Sequence, residues 1–188
     1  MQNHAKKKET RYNERDEAAR AIFDEKIEAL KEAGIPIVAV DESGVEQEIV
    51  KERGWSLRGV KIYCKKNGKR KSRKNVIGAR ANGKNIGMLV FDCSINSDVF
   101  EAWFEMWLLP RLPKGSAIKL DNASWHRKSV LYEIAERMGF ILLFLPTYSP
   151  DKNSSIEHTW ANMKRWLKDH VHEFDSVKEA IYHYFDSA

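Results

Sequence analysis

Residues 35–44 read IPIVAVDESG, and residues 117–123 read AIKLDNA. Each is a short apolar run that closes on an aspartate, Asp41 in the first and Asp121 in the second. Runs of this length read as buried strands, and here each delivers a carboxylate at its C-terminal end. Aspartate is a poor strand former and gains nothing from burial, so its place at a sheet edge calls for a compensating partner. A divalent cation would serve. Each aspartate also has a plainer reading, Asp41 as a turn residue before Ser43-Gly44 and Asp121-Asn122 as an Asx-type turn.

Outward from these two strands, helices and strands alternate. Ala19, Ile22, Phe23, Ile27 and Leu30 follow helical spacing from about Asp16 to Lys31, and Gly34 with Pro36 stops the run. Asn67-Gly68 and Asn82-Gly83 are hairpin signals, because both central residues of a type I′ turn need positive φ. They predict antiparallel strands over about 59–66, 74–81 and 84–92. Val99, Phe100, Trp103, Phe104, Trp107 and Leu108 mark a heavily buried helix, with Ser97 as its expected N-cap and Pro110 as its end. A helix over Val130–Met138, a strand over Phe140–Leu145 and two amphipathic helices follow. The first of these helices carries Ile156, Trp160, Met163, Trp166 and Leu167, and the second Val177, Ala180, Ile181 and Tyr184. This order predicts an α/β fold, a mixed sheet of three antiparallel strands and then parallel strands, flanked by helices. An RNase H-like arrangement satisfies it. The expected division is an N-terminal tail and linker helix over 1–34 and a catalytic domain over 35–188.

The bulk numbers set limits. Of the 188 residues, 43% are hydrophobic and 31% charged, the balance of a folded domain rather than a disordered chain. No apolar run approaches the roughly 18 residues of a membrane span, and the N-terminus is charged, so a cytoplasmic protein without a membrane partner is expected, nucleoid-associated if bacterial. Cys64 and Cys93 stand in no ligand-spaced motif. The net charge of +5 is unevenly spread: residues 51–74 hold eleven Lys or Arg against the single acid Glu52. Such a segment attracts polyanions, nucleic acid first among them, although a solvated lysine-rich hairpin would look the same. Lys65, Lys66, Lys69, Arg70, Lys71, Arg73 and Lys74 are the candidate DNA contacts there, and Trp55 could stack on a base.

A third carboxylate, Glu157, stands near the start of the helix after the last strand. Three convergent carboxylates suit Mg²⁺, a hard ion that prefers oxygen ligands. Ser154-Ser155-Ile156-Glu157 also fits a capping box, which would spend Glu157 on the helix end. Glu157 shares a helix face with Lys164 and Lys168, which could reach phosphate. His126 could touch substrate or metal, or simply bond locally.

Four ordered segments are VDESG at 40–44, LDNA at 120–123 with His126, LPTYSPD at 145–151 and IEHTW at 156–160. Together they resemble the DDE endonuclease domain of bacterial insertion-sequence transposases of the six-thirty type, related to the Tc and mariner elements. The resemblance spans about residues 35–170. It implies Asp41, Asp121 and Glu157 as catalytic and metal-binding residues, with two Mg²⁺ ions, replaceable by Mn²⁺. Asn122, His126 and Trp55 would be accessory. It implies cleavage of DNA at transposon ends, then strand transfer into target DNA, commonly at a TA dinucleotide. Pairing of two copies through the helix at 16–33 is a further expectation. The chain departs from the family pattern in two places. Asn153-Ser154-Ser155-Ile156-Glu157 stands where relatives carry Asn-Pro-Ile-Glu, one residue shorter, and no N-terminal helix-turn-helix domain precedes residue 35, so one is expected elsewhere or lost. A DNA-binding remnant without turnover and another RNase H-like nuclease are the alternatives.

Overall fold

The computed structural model describes residues 16–46 and 73–187. Trp55, Lys65, Lys66, Lys69, Arg70 and Lys71, the expected strand at 59–66 and the Asn67-Gly68 turn lie outside the described residues.

Helix α1 (Glu17–Glu32) is capped by Asp16, whose side chain accepts from the Ala19 amide. Five strands then form one sheet in the order β3-β2-β1-β4-β5. They are β1 (Ile37–Glu46), β2 (Arg73–Ala81), β3 (Lys84–Phe91), β4 (Ala117–Leu120) and β5 (Ile141–Phe144). β1, β2 and β3 pair antiparallel, while β4 runs parallel to both β1 and β5. The β2–β3 turn is the expected one, with Asn82 at φ 49° and Gly83 at φ 77°.

One expectation needs correction here. β1 does not end at Asp41 but continues through Glu42-Ser43-Gly44 to Glu46. Its pairing with β2 from Ala39↔Arg80 to Glu46↔Arg73 supplies ladder bonds that override the Ser-Gly turn signal. Asp41 is therefore a mid-strand residue opposite Gly78.

Alternation along β1 divides the core between two sheet faces. Val38 and Val40 join Ile77, Ile118 and Leu120 against α2 (Ser97–Trp103) and α3 (Lys128–Met138). Ala39 and Val45 join Val76 and Val90 against α4 (Ser154–His170) and α5 (Val177–Asp186). On α4 the stripe Ile156, Trp160, Met163 and Leu167 is buried. Burying each such side chain contributes roughly 1.5–3 kcal/mol, which fixes the rotation of α4 about its axis.

Two details of the α2 region differ from the sequence expectation. Asn96, not Ser97, is the N-cap, accepting from the Val99 amide at 2.9 Å, while the Ser97 hydroxyl donates to Trp125 O. The helix then widens into a π turn over Phe104–Leu108 before a 3₁₀ turn at Leu109–Arg111. That turn buries Phe104 and Leu108 but leaves Trp107 39% exposed, with the Arg111 guanidinium 3.7 Å over its ring. Trp107 is therefore not a core residue. The outer strand β3 is guarded by side chains: Trp103 Nε1 donates to Gly87 O, and Val90 N donates to the Tyr182 hydroxyl. Cys93 is exposed and free. No described helix is long and apolar enough to cross a membrane.

Candidate active site

Parallel pairing brings the two aspartates together. β1 and β4 align Ile37 with Ala117, Val38 with Ile118 and Ala39 with Lys119. Asp121 directly follows β4, two residues beyond the last of these pairs, and stands near enough to Asp41 for its charge to act on that carboxyl. Asp41 has the parity of Ala39, so it lies on the sheet face that α4 covers. Gly78, across from it on β2, has no side chain, and a Cβ there would lie 1.9 Å from the Met88 sulfur.

Each aspartate is oriented by neighbours. Trp160 Nε1 donates to Asp41 Oδ2 at 2.9 Å, a bond between residues 119 positions apart. Burial, together with the charges of Asp121 and Glu157, pushes the Asp41 carboxyl up to about 6, even though the Glu42 amide and the Trp160 indole favour its ionised form. For Asp121, burial pushes up as well, but the bonds from His126 and from the Ala123 amide outweigh it and hold the group below the usual range. Both of those bonds fall on Oδ1, at 3.1 Å from His126 Nε2 and 3.2 Å from Ala123 N. The Ala123 bond is the expected Asx-type turn, so turn and carboxylate roles coexist in one residue.

His126 is buried between Phe100, 4.3 Å away between ring centroids, and Trp125, 4.0 Å away. Its Nδ1 has no hydrogen-bond partner. The imidazole is packed and aimed at Asp121, a holder of that carboxylate rather than a surface contact. Asn122 is exposed beside it.

Glu157 lies in the first turn of α4. The capping box does not form: Ser154 is already helical, and the N-cap is Asn153, with no side-chain capping bond. Asn153 instead turns inward, 2% exposed, and its Nδ2 donates to Val40 O at 3.0 Å. Ile156 stays fully buried, so the additional residue is accommodated with the apolar stripe of α4 intact. Glu157 itself is exposed, with its carboxyl raised above the usual value by desolvation, which the neighbouring Asp151 reinforces and His158 opposes. Its charge reaches Asp41. Among the described residues, however, no three His, Cys, Asp or Glu side chains converge closely enough to hold a metal ion. The structure thus juxtaposes Asp41 and Asp121 and leaves Glu157 at the rim.

A fourth acid went unnoticed in the sequence. Glu42 is mostly buried, its Oε1 has no partner, and burial together with the charges of Asp41 and Asp121 pushes its carboxyl up to about 8. The only available signal was an acid following an acid inside a strand. Trp160 was likewise legible only as a core residue, and Asn153 only as part of the stretch that departs from the family pattern.

Among the basic residues, Lys164 is exposed, its ammonium lowered first by desolvation and then by Arg73, while Asp41 opposes. Arg73 lies over Gly44, where an added Cβ would strike the guanidinium. Lys74 is engaged by Asp92, and Lys168 is exposed.

Neighbouring carboxylates whose charges repel, one of them with its proton affinity raised by burial, are the kind of donor set that a hard divalent cation neutralises. Asp121 fits that use, since its Oδ2 receives no bond from the described residues while Oδ1 is held.

A family model described as DDE superfamily endonuclease matches residues 36–181. No curated protein matches the chain. Solved structures do. The Mos1 mariner paired end complex with Mn aligns at TM-score 0.74 and 18% identity, over 100% of this chain and 59% of that one. The Mos1 strand transfer complex aligns at 0.72 and 19%, over 100% and 57%. The catalytic domain of Mos1 mariner transposase aligns at 0.65 and 16%, over 95% and 82%. The chain thus spans under three fifths of the longer Mos1 chains and most of the isolated catalytic domain, and at these identities the likeness is one of fold, the RNase H-like mixed sheet.

Proposed function

Because the chain belongs to the DDE superfamily endonuclease family, we propose that it is the catalytic domain of a DNA transposase, cleaving phosphodiester bonds at transposon ends and joining the freed 3′ end to target DNA. The observation that carries this reading is the proximity of Asp41, in β1, to Asp121, which directly follows the parallel neighbour β4, inside a sheet of the same fold as Mos1 structures, one of them a paired-end complex with a transposon end.

Asp41 and Asp121 would hold divalent ions, Mg²⁺ or Mn²⁺, with Glu157 closing the set from α4. When bound, such ions activate an attacking oxygen and stabilise a leaving one. The chain's own residues do the positioning. Trp160 holds Asp41 through its Oδ2, and His126 occupies Asp121 Oδ1, leaving Oδ2 without a bond from the described residues. Lys164 supplies a cation near Asp41, with Arg73 close to Lys164, where a DNA phosphate would otherwise meet only negative charge. TA-directed insertion, a helix-turn-helix partner domain and dimerisation belong to this reading as expectations.

The direct test is nicking of supercoiled plasmid by the purified protein. Nicking is expected with Mn²⁺ or Mg²⁺ and none with excess chelator. Cleavage that persists without divalent ions would rule out the carboxylate-metal site. A folded protein that binds DNA but never nicks would instead be a DNA-binding remnant, the reading that the rim position of Glu157 favours.

DNA affinity is expected to fall at least about 10-fold between about 50 and about 200 mM salt, because phosphate neutralisation releases counterions. Lys164→Ala should lower the slope of log affinity against log salt by about one. An unchanged slope in a fluorescence-anisotropy titration would remove Lys164 from the interface.

A further inference from the structure

The segment that delivers Glu157 is fastened to the other end of the chain. Between β5 and α4 the chain passes through a 3₁₀ turn, Pro150–Asn153. Arg20 of α1 reaches this turn and donates from both terminal nitrogens to Asp151, at 3.0 Å to Oδ1 and 2.7 Å to Oδ2. The Arg20 side chain is only 6% exposed and also lies 3.5 Å from Glu17, so the guanidinium is enclosed by carboxylates. Next in the turn, Lys152 Nζ lies 2.6 Å from Asp24 on α1, and the Lys152 carbonyl accepts from the half-buried Lys119 of β4. Asn153 then bonds Val40 O, one residue before Asp41. Three consecutive residues, 151, 152 and 153, thus tie the turn to α1, β4 and β1.

Glu157 follows within one helical turn of Asn153, and no side-chain cap holds that helix end. The buried stripe fixes how α4 is rotated, and with no side-chain cap it is the preceding 3₁₀ turn that holds the place where its first turn begins. A buried arginine that bonds bidentately fixes both the place and the plane of its carboxylate partner, which a lysine would not do.

We infer that Arg20 is a positioning residue for Glu157: its paired bonds to Asp151 set the register in which α4 begins, and so where the Glu157 carboxylate stands relative to Asp41. The inference rests on the proposed metal-carboxylate site. It also makes α1 part of the catalytic apparatus rather than a bare linker. Asp151, the carboxylate that Arg20 holds, is also near enough for its charge to act on Glu157.

The test uses the whole chain with Arg20→Ala, Arg20→Lys, the charge exchange Arg20→Asp with Asp151→Arg, and Lys31→Ala as a control that breaks an exposed pair with Glu28 on the same helix. Three quantities are read: thermal unfolding, Mn²⁺ affinity from the free-ion signal in electron paramagnetic resonance, and hydrogen exchange of residues 150–160. Arg20→Ala is expected to weaken Mn²⁺ binding by about 10-fold, the scale seen when a residue behind a metal ligand is lost. It should also speed exchange over 150–160, while Lys31→Ala changes neither. Arg20→Lys should fall between, and the exchanged pair should recover at least half of the loss. Unchanged Mn²⁺ affinity and unchanged exchange over 150–160 in Arg20→Ala, with only a lower melting temperature, would overturn the inference. If Arg20→Ala does not fold, the exchanged pair decides: folding restored together with Mn²⁺ affinity supports positioning, and folding restored without it refutes positioning. If the unaltered protein binds no Mn²⁺, the metal reading fails by itself. Exchange over 150–160 then decides for Arg20, faster exchange supporting the positioning role and unchanged exchange ending it.

Discussion

Asp121→Asn is expected to reduce Mn²⁺-dependent nicking by at least about 100-fold, the scale associated with losing one preorganised electrostatic contact at a reacting centre. The substitution removes a metal-ligand charge at nearly constant volume. The fold should survive it, because the side chain closes an Asx-type bond to Ala123 and accepts from His126, and an amide oxygen can accept both. A companion variant, His126→Phe, separates charge from orientation. It keeps an aromatic ring between Phe100 and Trp125 but deletes the bond to Asp121. An intermediate loss, about 10-fold, is expected if the imidazole orients a ligand. Nicking and unfolding measured on the same preparations decide the matter. Full activity in Asp121→Asn would end the assignment of the site, whereas full activity in His126→Phe would end only the orienting role.

With divalent ions removed, the protein is expected to be more stable near pH 5 than near pH 8. The sign follows from proton binding. Asp41 rises from 3.8 to about 6 and Glu42 from 4.5 to about 8 in the folded state, burial being the main cause in both. Between about pH 4 and 8 the folded protein therefore binds more protons than the unfolded chain, and unfolding free energy falls as pH rises. The loss should be on the order of 2–4 kcal/mol across that window. Glu42→Gln should flatten its upper half, because a neutral amide has no charge to desolvate. Thermal melts in chelator at pH 5, 6.5 and 8 test this directly. A melting temperature that climbs over the range would show that the carboxylates are not the crowded, buried group described above. Saturating Mn²⁺ should reverse the trend, since ions displace protons from such a site and their apparent affinity rises until the ligands are ionised.

Much of the architecture was readable without the structure because it depends on local chemistry. The period of apolar residues marked the strands before Asp41 and Asp121 and the stripe Ile156, Trp160, Met163 and Leu167 on α4. Asn82-Gly83 announced its hairpin because only a few residues tolerate two successive positive φ values. That Asp41 and Asp121 each follow an apolar run was likewise a local signal, found twice. Local signals also misled. Ser43-Gly44 looked like a turn after Asp41, and Trp107 looked like core.

By itself, then, the sequence determined most of the described strands and helices, where their apolar faces lie, and that two carboxylates follow apolar runs. The tertiary structure alone decided the rest. It carried β1 on to Glu46, because eight residue pairs with β2 outweigh one turn preference. It aimed Trp160 at Asp41 and Arg20 at Asp151, partners 119 and 131 residues apart, and it left Glu157 at the rim. Periodicity says which way a side chain points from its own element. Which partner waits there depends on how distant elements dock, and that is fixed by the packing of the whole chain.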